Sequence, residues 1–495
     1  MATDVVVVGA GPTGLTLACG LRAAGVVVRV LDAAAGPAAT SRALGLQPRG
    51  VEVLDRIGAL GDLPERGLPI SSVVITVNGR ERARLPIGQA MQRLGGRTAL
   101  LMSQADIEAA LRDRLAALGG SVEWDRRVAE VLAGTDGVEV RLGNGDDVRA
   151  GWVIGADGAH SVVRKAMRVG FPGVPLIEHF LLADVHADID RPRNNTYGWL
   201  RGTQMLVAFP LPGVDLWRVM TAAPQGCPDD PGQDEIIGHL GERLAAEARG
   251  SINSIEWTSS FRIHRRLADT YRRGRTLLAG DAAHIHSPLG GQGMNTGMGD
   301  AENLAWKLAL VVSGRADAGL LDTYQAERRP IAKDVLKSTS GVTEVVVGQG
   351  WVSRLLRDRV AIPLLNRGWM QRLIAEKGSQ LQVSYRRGPL GAGRRAWLPG
   401  SRPGDRVPDR TCSRVDGTTV RLYDALGPGW ALLGPEPLAD VARTRLGDVA
   451  ALRGDVGDAM LIRPDGHLAW RGSDQMALKA WLDGALGKRT EVPTP

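Results

Sequence analysis

The chain has 495 residues, enough for two or three domains with a substantial core. It carries 61 basic and 54 acidic side chains, a net charge of +7, and only 4% aromatic residues. Because the arginines are dispersed rather than clustered, this composition argues against nucleic-acid binding. The three cysteines, Cys19, Cys227 and Cys412, lie far apart in the sequence and form no disulfide framework.

Targeting and membrane segments are also missing from the pattern. The uncharged stretch from Val5 to Leu21 lacks the basic segment that begins a secretory signal. No other uncharged apolar run approaches the roughly 20 residues that a membrane span requires. We therefore expect a cytoplasmic protein with reduced cysteines and no membrane partner.

The first motif is a glycine-rich turn, G-A-G-P-T-G at residues 9–14, between a predicted β-branched strand and a predicted apolar helix. In a turn of this kind, Gly9 permits the tight bend and Gly11 lets the backbone approach a pyrophosphate. Gly14 allows close packing of the helix on the strand, and the helix N-terminus supplies N–H groups and a positive dipole. The pattern predicts a site for a phosphate-containing cofactor.

A second strand, predicted over 26–31, ends at Asp32. An acidic side chain about 20 residues beyond the glycines can accept hydrogen bonds from a ribose, so the combination predicts an adenine dinucleotide site. Farther on, Ser103 is a suitable N-cap for a helix over 103–112, with Asp106 completing a capping box. These alternating strands and helices predict an α/β domain.

Residues 180–257 have a different character, with short alternating apolar stretches separated by Pro and Gly. This pattern predicts an antiparallel sheet, which we interpret as a substrate domain inserted into the nucleotide-binding domain. The side chains of Met205, Phe209, Trp217 and Trp199 could line an apolar pocket facing the cofactor. Aromatic residues in sheets are, however, more often ordinary core.

Two further segments carry a family resemblance. Residues 155–164 have the sequence G-A-D-G-A-H-S-V-V-R. Residues 275–284, R-T-L-L-A-G-D-A-A-H, continue through a glycine-rich loop to D-A-E-N-L-A-W-K-L at 300–308. With the first glycine turn, these segments match the three fingerprints of flavin-dependent aromatic hydroxylases, in order. The chain resembles that family over roughly residues 4–340, which implies tightly but non-covalently bound FAD and a Rossmann-like FAD-binding domain of the glutathione reductase type.

The third segment could hold the flavin itself. A predicted strand ends at Asp281, whose carboxylate can bind a ribityl hydroxyl. Glycines in the following loop, including Gly291, let backbone N–H groups reach the flavin ring. A helix beginning near Gly293 would stabilise negative charge on the reduced ring through its dipole. Met294 and Asn295 are the N–H donors that we favour.

The resemblance implies five more cofactor contacts. It places Arg42 at the pyrophosphate, Gln104 at the ribityl–phosphate region and Val128 at the adenine through its backbone. It places Pro288 at the edge of the ring, and Asp157 near both FAD and the nicotinamide nucleotide. Judged from its residues alone, the segment around Asp157 has a less favoured alternative, a simple turn after a strand.

The sequence argues against a metal site and for a nicotinamide nucleotide that binds only transiently. His284 and His286 have no carboxylate or cysteine at ligand spacing, so a cofactor loop explains them better than a metal site. No second complete G-x-G-x-x-G follows a strand, so NADPH or NADH must dock transiently, and the resemblance favours NADPH. It also implies that O₂ forms a flavin C4a-hydroperoxide, which oxygenates an activated aromatic ring. The sequence indicates no catalytic base.

The C-terminal region, 396–495, is predicted to be a small α/β domain. A Pro- and Gly-rich linker over 398–409 precedes several strand signals and a closing helix over 475–486. The domain resembles the thioredoxin-like domain of phenol hydroxylases and bacterial aromatic polyketide hydroxylases. Cys412 has no C-x-x-C partner, which argues against dithiol chemistry. A structural or dimer-related role is the default, so a homodimer is left open.

These interpretations predict four segments: FAD-binding parts at 1–179 and 258–395, the substrate sheet at 180–257 and the thioredoxin-like domain at 396–495. The composition, rich in Arg, Ala and Gly with few Lys, suggests a high-GC bacterial genome. The domain arrangement resembles that of bacterial hydroxylases of polycyclic aromatic polyketides in antibiotic biosynthesis. Three alternatives stay open: an antibiotic-inactivating monooxygenase, a Baeyer–Villiger enzyme of the same fold, and a non-catalytic flavin-binding scaffold. The intact flavin loops argue against the scaffold.

Overall fold

A computed structural model describes residues 3–39, 43–202, 204–286, 291–347, 355–391 and 401–488. These residues form two eight-stranded sheets, a six-stranded sheet and a small three-stranded sheet, Gly45–Leu46, Leu100–Leu101 and Leu68–Pro69. Cys19, Cys227 and Cys412 are free thiols. Within the described ranges, no helix combines the length and apolar character needed to cross a membrane.

The first eight-stranded sheet carries the sequence fingerprints. Its strands lie in the order Arg272–Arg273, Thr276–Leu278, Asp147–Gly155, Thr3–Val8, Val28–Leu31 and Val122–Glu123, with Val138–Leu142 and Val128–Ala133 joined as a hairpin extension. The central strands are parallel and buried, as their β-branched runs predict. Gly9, Asp32 and Asp157 each follow the carboxyl end of one of these strands, and Asp281 lies just beyond another. Parallel strands therefore bring all four to one edge, where ligands bind in such sheets.

Helices cover this sheet and connect it to the rest of the chain. Those of the first half are Pro12–Ala23, Pro48–Ile57, Leu63–Arg66, Ile87–Arg93, Gln104–Ala117 and Val162–Ala166. The buried helix, as we call Gly293–Val312, packs across Pro12–Ala23, and nearly all of its side chains are inaccessible to solvent. The close crossing depends on Gly20, because a Cβ there would lie 2.8 Å from the Cβ of Ala305. Helix Asp322–Val347 follows it through the 3₁₀ turn Ala318–Leu321.

The second eight-stranded sheet corresponds to the predicted substrate domain. Its strands lie in the order His284–Ile285, Ser251–Leu267, Gly173–Asp188, Leu216–Ala222, Gln204–Pro210, Asn195–Arg201, Ser72–Val77 and Arg80–Leu85. It is antiparallel except where Asn195–Arg201 pairs with Ser72–Val77. The predicted range 180–257 is therefore too short, because the sheet recruits strands from residues 72–85 and its long strands extend past both predicted ends. Helix Gln233–Ala248, which the sequence analysis missed, covers one face.

The six-stranded sheet forms the C-terminal domain, reached through Arg357–Ala361, Ile362–Leu364 and helix Gly368–Ser379. Its strands lie in the order Thr419–Arg421, Thr411–Arg414, Val449–Arg453, Trp430–Leu433, Ala459–Ile462 and Leu468–Gly472. A parallel strand–helix–strand unit runs from Trp430 to Arg453 through helix Glu436–Leu446. An antiparallel hairpin continues the sheet before the closing helix Gln475–Leu486, and Leu422–Leu426 is a short helix on this domain.

One predicted helix start differs from expectation. Ser103 caps helix Gln104–Ala117 as predicted, its Oγ accepting a hydrogen bond from the N–H of Ala105 at 3.2 Å. Asp106 does not complete a capping box, because its carboxylate pairs with Arg66 instead. A nearby cation thus outcompetes the local backbone bond that the sequence pattern suggested.

Candidate functional site

The glycine turn is shaped by two glycines that the protein itself requires. Gly9 has a φ of +106°, and a Cβ there would lie 2.3 Å from the carbonyl oxygen of Ala156. A Cβ on Gly14 would lie 1.9 Å from the carbonyl oxygen of Gly9. By contrast, a Cβ on Gly11 would meet no protein atom within 4 Å. Gly11 therefore leaves room beside the helix N-terminus, as pyrophosphate binding requires.

Asp32 links the second strand to this turn. One carboxylate oxygen accepts a hydrogen bond from the N–H of Ala10 at 2.7 Å, and the other accepts one from Ala34 at 2.8 Å. A carboxylate has about four acceptor positions, so Asp32 can hold the turn and still accept ribose hydroxyls. The residues present fit an adenine dinucleotide at this edge.

Gln104 lies beside a carboxyl group that the sequence analysis did not identify. Its Nε2 donates a hydrogen bond to Oε1 of Glu108 at 2.7 Å. Burial raises the pKa of Glu108, and the nearby charge of Asp32 adds to this effect. The spacing of four residues on one helix face was the only sequence signal for Glu108. A contact of Gln104 with the cofactor stays a prediction.

Asp157 has a structural role in its own turn. Its carboxylate accepts hydrogen bonds from the hydroxyl of Ser161 and from the N–H groups of Val162, at 2.7 Å, and Val163, at 3.2 Å. It thereby caps helix Val162–Ala166 together with Ser161. This is the turn that the residues alone suggested, and contact with either nucleotide stays a prediction.

The third fingerprint folds directly against the first. Gly280 has a φ of +60°, and a Cβ there would lie 2.5 Å from Oγ1 of Thr13. A Cβ on Gly297, in the buried helix, would lie 2.3 Å from the same oxygen. Thr13, to which the sequence analysis gave no role, is therefore the point where both fingerprints meet.

Asp281 lies in the 3₁₀ turn Gly280–Ala282 that follows the strand. Its side chain is solvent-exposed, yet desolvation by the surrounding protein raises the pKa of its carboxyl. The exposed carboxylate is therefore open to a ligand. Such a carboxylate can receive hydroxyl groups from a ligand without breaking any bond within the protein.

The buried helix begins at the loop that the sequence analysis predicted for the flavin ring. The N–H groups of Gly293, Met294 and Asn295 belong to its first turn, where no intrahelical acceptor exists. The side chain of Asn295 accepts a hydrogen bond from the N–H of Gln47 and donates to two carbonyl oxygens, those of Gly45 and Gly291, all at 2.9 Å. Asn295 thus fixes the loop with its side chain and leaves its backbone N–H for a ligand.

Of four other predicted cofactor contacts, the structure describes two. Arg42 and Pro288 lie outside the described residues. Val128 is buried at the start of strand Val128–Ala133, and its contact with adenine stays a prediction. Gly291 has a φ of +60°, which favours glycine at that bend.

The predicted substrate residues do not come together. Met205 and Phe209 lie four residues apart on the same strand and therefore on the same face of the second sheet. Trp217 pairs in register with Pro210, so it lies on the opposite face, where it packs with Trp199 beneath helix Gln233–Ala248. Assigning Trp217 to the substrate pocket is therefore wrong, because both tryptophans are ordinary core at 1% exposure.

The face that carries Phe209 points toward the cofactor loop. Phe209 packs in one cluster with Leu44, whose neighbour Gly45 accepts the hydrogen bond from Asn295. Arg218, next to Phe209 across the strands, forms a bidentate pair with Asp184 at 2.7 Å for both bonds. We call this face of the sheet the inner face.

His284 is buried and hydrogen-bonded to Asp300. Its Nε2 lies 2.6 Å from Oδ2 of Asp300, which also accepts a hydrogen bond from the N–H of Gly280 at 3.1 Å. In the part of the chain that the structure describes, no group of three His, Cys, Asp or Glu side chains could hold a metal ion. The sequence analysis gave Asp300 no role, although it lies in the third fingerprint.

Known proteins share both the sequence and the fold. The family described as FAD binding domain matches residues 2–339. The 6-methylpretetramide 4-monooxygenase of Streptomyces rimosus is 35% identical, over 95% of this chain and 90% of its own. A rifampicin monooxygenase of Streptomyces venezuelae is 35% identical, over 98% of this chain and 99% of its own.

A solved structure agrees along the whole length. OxyS anhydrotetracycline hydroxylase from Streptomyces rimosus superposes with a TM-score of 0.81 and 33% identity, covering 99% of this chain and 100% of its own. The glycine turn, the Asp281 turn and the start of the buried helix thus occur in a framework shared with flavin enzymes. The chain belongs to the FAD-binding-domain family and is an FAD-dependent monooxygenase, related to the hydroxylases of aromatic polyketides.

Proposed function

We propose that this monooxygenase hydroxylates a polycyclic aromatic substrate, with NAD(P)H as reductant and O₂ as oxidant. The observation that carries the proposal is the meeting of the glycine turn, Asp281 and the start of the buried helix at one sheet edge, beside the inner face. The overall reaction consumes the substrate, NAD(P)H, a proton and O₂, and yields the hydroxylated product, NAD(P)⁺ and water. NADPH is the reductant that the family resemblance favours.

The residues of the chain bind and orient in this reaction. When bound, FAD would supply the redox and oxygen-transfer chemistry. The glycine turn holds the pyrophosphate, and the carboxylate of Asp281 accepts the ribityl hydroxyls. The first-turn N–H groups of Gly293–Asn295 stabilise negative charge on the ring through hydrogen bonds and the helix dipole.

An aromatic substrate suits the inner face of the second sheet. Phe180 and Phe261 stack there with ring centroids 5.8 Å apart, and Met220 and Met205 pack beside them. These mostly buried side chains form the apolar core beneath the inner face, a setting that would favour a planar ring system and exclude water from it. The relatives named for tetracycline-type compounds support a polycyclic aromatic polyketide as the substrate class.

A second candidate is the oxidative inactivation of an antibiotic. It is favoured by the rifampicin monooxygenase, whose identity of 35% equals that of the pretetramide enzyme. Both candidates need the same cofactor site and differ in the substrate that fits the inner face. Product mass would not distinguish ring hydroxylation from Baeyer–Villiger insertion, because both add one oxygen atom. Product NMR would distinguish them, because the new oxygen is bonded differently.

We further propose that the C-terminal domain has a thioredoxin-like fold without dithiol chemistry. Support comes from the strand–helix–strand unit 430–453 followed by an antiparallel hairpin and a closing helix. In this part of the sheet the strands lie in the order second, first, third and fourth, with an added hairpin at one edge. Cys412 is buried and far in sequence from the other cysteines.

The test begins with the visible spectrum of the purified protein and chromatography of the chromophore released by heat. We expect FAD in near-stoichiometric amount. Oxidation of NADPH and NADH is then measured with O₂ consumption, against panels of polycyclic phenols and of rifamycins. Substrate-dependent turnover with an oxygenated product supports the proposal. Protein that binds FAD but turns over none of these compounds would favour a flavin-binding scaffold.

A further inference from the structure

A tight turn of the C-terminal domain, Arg463–His467, is inserted into the FAD-binding domain. It connects the two strands of the hairpin 459–472. Arg463, Asp465 and His467 are 0%, 1% and 0% exposed, although all three are polar or charged. Charged groups are rarely buried unless they are paired, so the contacts of this turn are specific.

One set of contacts holds the middle of the buried helix. Oδ2 of Asp465 accepts hydrogen bonds from Nδ2 of Asn303 at 3.1 Å and from Nε1 of Trp306 at 3.3 Å. Arg463 forms a bidentate pair with Glu327, at 2.9 and 3.0 Å. Glu327 in turn accepts hydrogen bonds from Asn303 and Lys307, both at 2.8 Å.

A second set of contacts reaches the first turns of the same helix. The ring of His467 lies 4.2 Å from that of Tyr385, whose hydroxyl accepts a hydrogen bond from Arg328 at 2.9 Å. Arg328 donates to Oδ1 of Asp300 at 2.7 Å and to the carbonyl of Thr296 at 3.0 Å. The same Asp300 carboxylate binds His284 and the N–H of Gly280, at the Asp281 turn.

These contacts grip the buried helix at two levels with directional bonds. Apolar packing would allow small slides and rotations of a helix, whereas buried ion pairs have one satisfied arrangement and are costly to leave unpaired. The direction of the first-turn N–H groups depends on where the helix lies along its axis. The turn is therefore placed to set that register.

We propose that the Arg463–His467 turn is a positioning element of the FAD site, so that the C-terminal domain acts on the cofactor without touching it. The turn fixes the register of the buried helix and, through Tyr385, Arg328 and Asp300, the position of the Asp281 turn. The inference rests on FAD binding at the site described above. It gives the C-terminal domain a role that its lack of a dithiol leaves open.

The test uses the full-length protein with two substitutions and one matched control. Asp465→Asn keeps the size of the side chain but removes the charge that pairs with Arg463. Tyr385→Phe keeps the ring against His467 and removes only the hydroxyl bonded to Arg328. Asp458→Asn is the control, because Asp458 lies in the same hairpin but pairs with Arg471 at an exposed position.

Three quantities are measured: the Kd of FAD, the midpoint potential of the bound flavin and the thermal unfolding midpoint. We expect both test substitutions to raise the Kd about tenfold, a coupling of ordinary size. The potential should become more negative, because a displaced helix end stabilises the reduced ring less. The control should match the parent in all three.

The results of these measurements distinguish failure of this inference from failure of the proposed function. Lower thermal stability with an unchanged Kd and potential would overturn the inference, since the turn would then only hold the domains together. If Asp465→Asn does not fold, the result with Tyr385→Phe decides. A parent protein that binds no FAD would instead overturn the proposed function itself.

Discussion

Two regions fix the cofactor site: the glycine turn at residues 9–14, and the contact of the buried helix with the C-terminal domain. They differ in the kind of residue on which they depend. The turn depends on glycines, because two backbone segments lie closer together than any residue with a Cβ would allow. The interdomain contact relies on long charged side chains from segments far apart in sequence. The first is a local device visible in a short window, and the second exists only after folding. Substitutions should therefore affect them in different ways.

The largest expected effect is at Gly14. Gly14→Val would place side-chain atoms against the carbonyl of Gly9, which is backbone and cannot move aside. We expect loss of soluble, FAD-containing protein, or destabilisation of about 3 kcal/mol or more. Expression yield, the FAD-to-protein absorbance ratio and urea unfolding measure this.

Gly11→Ala is the matched substitution in the same turn. No protein atom lies within 4 Å of the added Cβ, and Gly11 is the helix N-cap with φ near −75°, so the fold should survive. The methyl group would occupy the space beside the pyrophosphate, so FAD affinity should fall while thermal stability of the apoprotein stays close to the parent. Equal loss of stability in both variants would contradict the division of roles among these glycines.

The interdomain contact is tested next by Glu327→Gln. This change leaves Lys307 without its ion-pair partner and Arg463 with Asp465 alone, all at 0–1% exposure, which should cost about 3–5 kcal/mol of unfolding free energy. Urea unfolding followed by circular dichroism gives the value. Asp440→Asn is the control, because its pair with Arg443 is exposed and should contribute less than about 1 kcal/mol. Similar effects of the two variants would show that the buried pairs are not specially important.

The same contact predicts a loss of stability in acid. Burial by itself raises the pKa of a carboxyl, but Arg463 and Lys307 lower that of Glu327 to about 2. His284 and Arg328 likewise lower the pKa of Asp300, and Arg463 lowers that of Asp465. Between the ordinary values and these lowered ones the unfolded chain binds more protons, so stability should fall as the pH drops from about 4.5 toward 2, by about 1.4 kcal/mol per pH unit for each extra proton.

Unfolding free energies measured across that pH range check the prediction. The slope should be smaller in Glu327→Gln, which has lost one of the titrating groups. A profile that is flat in the parent, or a slope unchanged in the variant, would contradict the assignment of these carboxylates.

The smallest expected effect on stability is at Asp281, which belongs to the cofactor wall rather than to either packing device. Asp281→Ala should leave the unfolding free energy nearly unchanged, because the side chain is exposed. It should empty the flavin site by removing the acceptor for the ribityl hydroxyls. Asp281→Asn, which keeps the size of the side chain, is the comparison. A variant that purifies fully yellow would contradict the ribityl assignment.

Local patterns in the sequence predicted much of the site. The closing helix at 475–486 agrees with the structure to the residue, because hydrophobic periodicity and turn residues act within short windows. The parallel strands that end at Gly9 and Asp32 follow from their β-branched runs. The three fingerprints together predicted the family, because each places glycines and acidic residues where the local backbone geometry requires them.

Other features depended on which segments meet in space. The sequence alternation marks Trp217 as buried but cannot say on which face of the sheet it lies, since that depends on the register with the neighbouring strand. Nor could it show that the strand Ser72–Val77 joins the second sheet, because that pairing spans more than a hundred residues.

The cofactor class and the predicted sheet edge for its binding could both be inferred from the amino-acid sequence, since short-range backbone geometry dictates them. The folded structure was needed to see that Asp300 pairs with buried His284 and that the Arg463–His467 turn reaches the buried helix. Those features arise from polar contacts between residues that are separated in the chain, and nothing in the local sequence specifies the partner of a buried polar side chain. A buried charge without a partner is strongly destabilising, so each one pairs with whichever opposite charge the fold brings next to it.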